Sequence, residues 1–90
     1  MIKKLPYNCF LLTDTFVTRV CGVGDSELDA IMETCGMKPH VVDGERFWNP
    51  FAATSAATYL RSQGSMIAAR YIQMLKLTGG SHKLLKIIAK

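Results

Sequence analysis

The sequence predicts a mainly α fold with one small β-hairpin, and three observations carry this prediction. Apolar residues recur at helical spacing in four stretches. Asp43-Gly44 separates two short β-prone runs, which is the strongest local signal for a hairpin. The chain has 90 residues and a hydrophobic fraction of 49%, which fits one small globular domain and excludes a disordered chain or a collagen.

An apolar run and a first helix are expected near the amino terminus. Residues 9–12 are long enough for a short strand or for a chain-entry segment packed on the core. Thr13 or Asp14 can cap a helix that continues to about Cys21, where Gly22 ends it. Its apolar face comprises Phe16, Val17 and Val20.

A second helix is expected after a tight turn at residues 22–25. It starts at Asp25-Ser26, with Ser26 and Asp29 spaced as a shorter relative of the capping box, and it ends at Gly36. Its core-facing stripe comprises Leu28, Ile31, Met32 and Cys35.

The hairpin and a third helix follow. Strands at residues 40–42 and 45–48 flank Asp43-Gly44, and Asn49-Pro50 supplies a capping residue and a first-turn proline. The third helix ends near Gln63-Gly64, and its alanines predict close packing against a neighbour. Its apolar residues include Phe51, Ala52, Ala56, Tyr59 and Leu60.

Ser65 caps a fourth helix over about residues 66–77, and a last short helix begins at Ser81 after the break at 78–80. The fourth helix places Ile67, Tyr71, Met74 and Leu75 on one face. We therefore expect one domain over residues 1–64, and a basic helical extension over 65–90. The extension either packs on the same core or mediates dimerisation.

The charge distribution indicates an anionic partner. Residues 1–45 carry four basic and seven acidic side chains, whereas residues 46–90 carry seven basic side chains and no carboxylate. Such an asymmetry suggests nucleic acid or a membrane surface, and a dipolar dimer is the alternative. A membrane partner is the weaker reading, because no stretch approaches 18 apolar residues and the basic tail is short.

The remaining motifs argue against a metal site, a cofactor or catalysis. Three cysteines without C-x-x-C spacing suggest buried thiols in the reducing cytoplasm. His40 and His82 form no ligand cluster with them, so zinc is not expected. No nucleophile with a base and no phosphate-binding loop is recognisable, so we expect a protein that is not an enzyme and needs no cofactor.

Four short motifs fit a known DNA-binding family. They are residues 22–26 at the inter-helix turn, Lys38-Pro39 before the hairpin, residues 43–48 across its tip, and Asn49-Pro50. In this order of elements, Thr13 to Arg61 resembles the winged helix-turn-helix of phage excisionases and of the amino-terminal domain of MerR-type regulators.

The resemblance implies sequence-specific binding to double-stranded DNA. The second helix, Ser26 to Cys35, would enter the major groove, and the wing around residues 43–46 would contact the minor groove or backbone. Arg46 matches a wing position that is often basic in the family. The alternative is that Arg46 is a surface cross-strand partner of Val42 or His40.

The second helix departs from the family pattern because its outward face is acidic. With Leu28 in the core, that face holds Asp29, Ala30, Glu33 and Thr34, with Glu27 at its edge. A groove-reading helix normally presents basic or amide side chains. Either this helix does not read DNA, or the scaffold binds a protein.

We therefore carry two hypotheses from the sequence. The first is a cytoplasmic DNA-binding accessory or transcription-regulating protein of a phage or mobile element, for which a homodimer is one option. Its DNA contacts would be Arg46, Arg61, Arg70, Lys83, Lys86 and Lys90. The second is a phage-type inhibitor or adaptor that binds a protein partner through Glu27, Asp29 and Glu33.

Overall fold

The computed structural model describes the backbone of residues 2–4, together with residues 10–80 and 83–84 in full. Its elements are β1 (Ile2–Lys4), β2 (Phe10–Thr13), α1 (Asp14–Cys21), α2 (Asp25–Thr34), β3 (His40–Val42), β4 (Glu45–Trp48), α3 (Pro50–Ser62) and α4 (Met66–Thr78). The prediction of a mainly helical chain with a small hairpin is confirmed. Within the described residues, no helix is long and apolar enough to cross a lipid bilayer.

The hairpin belongs to a larger antiparallel sheet with strand order β1-β2-β4-β3. The apolar run near the amino terminus forms β2, as predicted, and pairs with β4 through Leu12 opposite Trp48. Strand β1 was not predicted, because Ile2 is the only apolar residue in its three positions. The hairpin turn has the predicted form, since Asp43 and Gly44 both have positive φ, of 52° and 81°.

Three of the four helices begin at the predicted caps. The side chains of Thr13, Asn49 and Ser65 accept hydrogen bonds from backbone N–H groups in the first turns of α1, α3 and α4.

The start of α2 differs from the prediction of a Ser26–Asp29 capping box. Gly24 is the N-cap and is already extended, so the helix begins at Asp25 and Ser26 lies inside its first turn. Glu27 Oε1 accepts from the Gly24 N–H at 3.4 Å, which is the half of a capping box that a glycine cap allows. Asp29 is thereby left to make a different contact.

Helices α1, α3 and α4 pack together over β2 and β4 around one core. The predicted close approach of the α3 alanines is confirmed, since Ala52, Ala53, Ala56 and Ala57 are fully buried. The two aromatic residues of α3, Phe51 and Tyr59, are exposed. Small side chains occupy the contact with the neighbouring helix, which turns the large ones toward solvent.

The buried face of α4 also differs from the prediction. Tyr71 and Leu75 are buried as expected, but Ala68 and Ile72 complete the stripe in place of Ile67 and Met74, which are largely exposed. Apolar residues lie on almost every side of this helix, so their periodicity did not identify a single core face.

The carboxyl-terminal extension shares the core of the rest of the chain. Ala68, Tyr71, Ile72, Leu75 and Leu84 belong to the same buried cluster as residues of α1 and α3. Lys83 and Leu84 have helical backbone, and Leu84 N–H donates to the Gly80 carbonyl at 3.1 Å. The predicted helix start at Ser81 and the residues after Leu84 lie outside the described residues.

Candidate functional site

A tight turn of three residues joins α1 to α2. Gly22 ends α1 in the left-handed conformation, with φ of 71°, and its N–H donates to the Thr18 carbonyl at 2.8 Å. A Cβ at this position would lie 2.9 Å from Ile67 Cδ1 on α4. The turn therefore needs glycine for its backbone conformation and for its close approach to α4.

The exposed side of α2 is acidic, as the sequence predicted. Leu28 and Met32 are buried, whereas the helix carboxylates and Ala30 and Thr34 are exposed. The exposed acids of α2 are Asp25, Glu27, Asp29 and Glu33. The hairpin tip adds Asp43 and Glu45, which are also exposed. In the described part of the chain, α2 and the hairpin thus present six carboxylates to solvent.

Arg46 connects this acidic surface to the rest of the fold. Its Nη2 donates to Asp29 Oδ1 on α2 at 2.6 Å and to Asp14 Oδ1 at the start of α1 at 3.3 Å. Its Nε lies 3.3 Å from Asp14 Oδ2, which is an ion-pair distance without hydrogen-bond alignment. One guanidinium from β4 therefore links α1 and α2.

Trp48 contacts both Arg46 and Asp14. Its buried indole lies under Arg46, with the guanidinium carbon 5.3 Å from the ring centroid, and its Nε1–H donates to Asp14 Oδ1. Asp14 thus accepts hydrogen bonds from both Trp48 and Arg46. Trp48 is also a core residue, since it is 1% exposed.

The carboxylates of Asp14 and Asp29 also favour the charged form of Arg46. The hydrogen bond that Arg46 donates to Asp29 raises the pKa of Arg46, the negative charges of Asp14 and Asp29 raise it further, and partial burial opposes this rise. The residue opposite Arg46 in the hairpin is Val41, so the alternative pairing with Val42 or His40 is wrong. The DNA contact predicted for Arg46 stays a prediction. The guanidinium that would make this contact is already hydrogen-bonded to Asp14 and Asp29.

Basic side chains line the groove between α3 and α4. Arg61 and Lys76 line a groove of about 420 Å³ between these helices, and its floor is formed by Ile72 and Leu75. Thr54, Thr58, Gly79 and Gly80 complete the lining. The side chain of Lys83 lies along Gly79, with its Nζ about 3.4 Å from an idealised Gly79 Cβ. We call Arg61, Lys76 and Lys83 the basic cluster.

Arg70, another predicted DNA contact, does not line this groove. Arg70 lines a separate apolar groove of about 220 Å³, together with Phe16, Val20 and residues of α4. Lys86 and Lys90 lie outside the described residues. Lys76 belongs to the carboxylate-free half of the chain, which the sequence indicated as the source of contacts with an anionic partner.

A second pocket lies beside the acidic side of α2. It has a volume of about 220 Å³, with Asp29 and Glu33 on one side and Lys38 on the other. Met32, Met37, Pro39 and Trp48 supply apolar lining. Two of the three acids predicted for protein binding are therefore brought to one pocket, while Glu27 is not among its lining residues. Asp29 is already bonded to Arg46, so Glu33 is the more available carboxylate.

The described thiols are poorly suited to nucleophilic chemistry. Burial, with a smaller contribution from Cys35, raises the pKa of Cys21 to about 11, and burial also raises the pKa of Cys35. Both cysteines are free, and the described residues contain no group of three side chains placed to hold a metal ion.

Comparisons of the chain with protein-family models, with curated proteins and with solved structures found no match.

Proposed function

We propose that this chain is a winged helix-turn-helix protein that binds double-stranded DNA as an accessory or regulatory factor. The order α1, three-residue turn, α2, hairpin and α3 supports the scaffold, with β3–β4 as the wing. The basic cluster is the observation that carries the function, because Arg61 and Lys76 line one groove and Lys83 lies beside Gly79, which lines the same groove. The proposed activity is binding, without a catalytic step, in the cytoplasm.

Electrostatics favour the α3–α4 side over α2 as the surface that contacts phosphates. The carboxylates on α2 and the hairpin tip repel a polyanion at short range, and Arg46 offsets only part of that charge. The groove at the basic cluster has no carboxylate among its lining residues. The hydroxyl groups of Thr54 and Thr58 already donate to the Pro50 and Thr54 carbonyls, so the attraction for phosphates rests on the cations.

A salt-dependent titration with random-sequence duplex DNA tests this proposal. Neutralising the basic cluster with Arg61→Gln, Lys76→Gln and Lys83→Gln should weaken binding. The slope of log affinity against log salt should fall by about one for each phosphate contact that is lost. Lys38→Gln is the control for loss of a single charge, to be compared with each single substitution in the basic cluster, since it removes an exposed positive charge between α2 and β3.

Two results would contradict the proposal. One is a parent chain with no measurable duplex binding even at low salt. The other is a cluster variant whose affinity and salt slope equal those of Lys38→Gln. The predicted contacts at Lys86 and Lys90 are tested by neutralising them together with Lys83 and comparing the loss with that of Lys83→Gln alone.

The alternative function, binding of a basic protein surface by the acidic helix, is favoured by the pocket next to α2. Carboxylates beside apolar side chains suit a lysine or arginine, whose aliphatic stem packs while its charge is paired. Under this alternative Glu33→Gln abolishes partner binding, and the substitutions in the basic cluster matter little. If the chain binds DNA instead, the two sets of substitutions have the opposite effects. Removing the acids of α2 relieves their repulsion of the phosphates and leaves the DNA affinity equal or higher, whereas neutralising the basic cluster weakens DNA binding.

A further inference from the structure

We infer that the groove between α3 and α4 receives one unpaired nucleotide, with its phosphate at the basic cluster and its base against the groove floor. This inference rests on the proposed function, because it specifies the form of DNA that the same surface binds. It predicts that a duplex carrying an unpaired nucleotide binds more tightly than a duplex that is fully paired.

The groove is larger and more apolar than a contact with phosphates alone requires. Its volume of about 420 Å³ lies in the range of about 300–1,000 Å³ that is typical of sites for small molecules. Its floor, formed by Ile72 and Leu75, is apolar, and a phosphate held by Arg61 and Lys76 would leave that floor in contact with water. A ligand that uses the whole groove therefore combines an anionic group with an apolar face, as a nucleotide does.

The hydroxyl group of Thr58 favours a base over a second phosphate. Thr58 lines the groove, and its Oγ1–H donates to the Thr54 carbonyl at 2.8 Å. Because its proton is committed, this oxygen can form a further hydrogen bond only as an acceptor. The oxygens of a phosphodiester or a carboxylate are also acceptors, whereas an unpaired base offers the N–H donors of its Watson–Crick edge. In a paired base those donors are already occupied.

The groove is open where its lining continues past the end of α4. Gly79 and Gly80 line it there, and a Cβ built on Gly80 would meet no atom within 4 Å. A nucleotide can therefore enter while it stays attached to its strand. Taking a base out of a duplex costs free energy, and this cost is smallest where the base has no partner. The preferred DNA is therefore one in which a nucleotide is already unpaired.

Fluorescence anisotropy with two labelled DNAs tests the inference. One DNA is a fully paired duplex, and the other is the same duplex with one unpaired thymidine bulged from its middle. The parent chain should bind the bulged duplex at least about tenfold more tightly, because the cost of unpairing is avoided. Thr58→Leu fills the groove and removes the acceptor without changing the charge, so it should bring the ratio of the two affinities close to one.

Thr34→Leu is the matched control for Thr58→Leu. Thr34 is an exposed helical threonine whose hydroxyl also donates to the carbonyl four residues earlier, that of Ala30, at 2.9 Å. It lies on α2, away from the groove, so Thr34→Leu should keep the ratio of the parent chain. Circular dichroism verifies that each variant is folded. If Thr58→Leu is not, Thr58→Val, which removes only the acceptor, takes its place and should also lower the ratio.

Competition at constant ionic strength shows which part of the ligand the groove recognises. Thymidine monophosphate should displace the bulged duplex at a lower concentration than inorganic phosphate or a hexaglutamate peptide, because it alone carries a base. Equal affinities of the parent chain for the two DNAs overturn the inference and leave the proposed function standing, whereas no binding to either DNA removes both. A ratio that the Thr58 substitution leaves unchanged, or equal competition by phosphate or the peptide, also overturns the inference.

Discussion

Asp29 Oδ1 on α2 lies 2.6 Å from Nη2 of Arg46 on β4, so a charge that the sequence places on the outer face of a helix is paired with the hairpin. The same guanidinium reaches Asp14, which also accepts from Trp48. The angle between the hairpin and the two preceding helices is therefore held by one cation and two carboxylates. The acidic character of α2 has a role in the fold as well as in any binding.

The Arg46–Asp29 contact should contribute only modestly to stability. The Asp29 side chain is 60% exposed, so solvent screens the pair and we expect a coupling free energy below about 1 kcal/mol. A double-mutant cycle with Arg46→Gln and Asp29→Asn, followed by urea denaturation, measures it. The coupling should shrink at high salt. A coupling of several kcal/mol, insensitive to salt, contradicts this assignment.

Replacing Trp48 should be far more costly. Trp48→Ala removes a fully buried indole and should lower the free energy of unfolding by about 3–5 kcal/mol. Trp48→Phe loses the donor to Asp14, but it keeps an aromatic ring in the core. Its cost should therefore be smaller than that of Trp48→Ala. Thermal and urea denaturation give both values. A stable Trp48→Ala chain that has lost only ligand binding shows instead that the indole is a binding group.

The hairpin turn should depend on backbone conformation at Gly44. No atom lies within 4 Å of a Cβ built there, so Gly44→Val meets no steric contact and its effect isolates the cost of φ at 81° for a β-branched residue. We expect a loss of about 1–2 kcal/mol. Asp43→Asn is the control, because asparagine tolerates positive φ. An unchanged melting temperature for Gly44→Val speaks against the turn.

Stability should decrease in alkaline solution because of Cys21. Its pKa is raised to about 11 in the folded chain, mainly by burial, so the unfolded chain loses this proton first. The contribution of the protonated Cys21 thiol to the free energy of unfolding is fully present below about pH 9 and is lost as the pH rises to about 11. It amounts to about 2 kcal/mol. Urea denaturation should show that the free energy of unfolding declines less steeply in this pH window for Cys21→Ala than for the parent chain. Equal declines for the two chains would contradict the role of Cys21.

Tyr71→Phe should leave stability unchanged or raise it by about 1 kcal/mol. The Tyr71 hydroxyl is buried and has no hydrogen-bond partner within the described residues, so its removal relieves a desolvation cost while the ring still packs. Thermal denaturation measures the effect. Tyr71→Leu, which also removes ring packing, is the comparison and should destabilise. Clear destabilisation by Tyr71→Phe would reveal a partner for the hydroxyl.

Local chemistry made most of the element boundaries predictable. Thr13, Asn49 and Ser65 act as helix caps within their own first turns, and the Asp43-Gly44 turn closes a hairpin between adjacent residues. These signals act over three or four residues, so a single sequence contains them in full. The register of β2 against β4 joins residues 36 apart, such as Leu12 and Trp48, and no local pattern specifies it.

The candidate sites were predictable only as residue types. The acids of α2 are exposed as expected, but the pairing of Asp29 with Arg46 spans 17 residues and that of Asp14 spans 32. For the basic cluster, the sequence indicated a positive half-chain without showing that Arg61 and Lys76 share a groove while Arg70 lies elsewhere. That difference depends on which side of α4 is buried, and a helix apolar on two sides does not reveal it.

The close approach of Ile67 to Gly22 bears on how this sequence can vary. At Gly44, a left-handed backbone in open space leaves room for asparagine. At Gly22 the same backbone conformation meets the Cβ, Cγ2 and Cδ1 atoms of Ile67 at 2.9–3.1 Å, so asparagine is barred as well. In a library randomised at both glycines and selected for folded protein, Gly22 should be retained almost without exception. Substitutions there should survive only with a smaller residue at position 67.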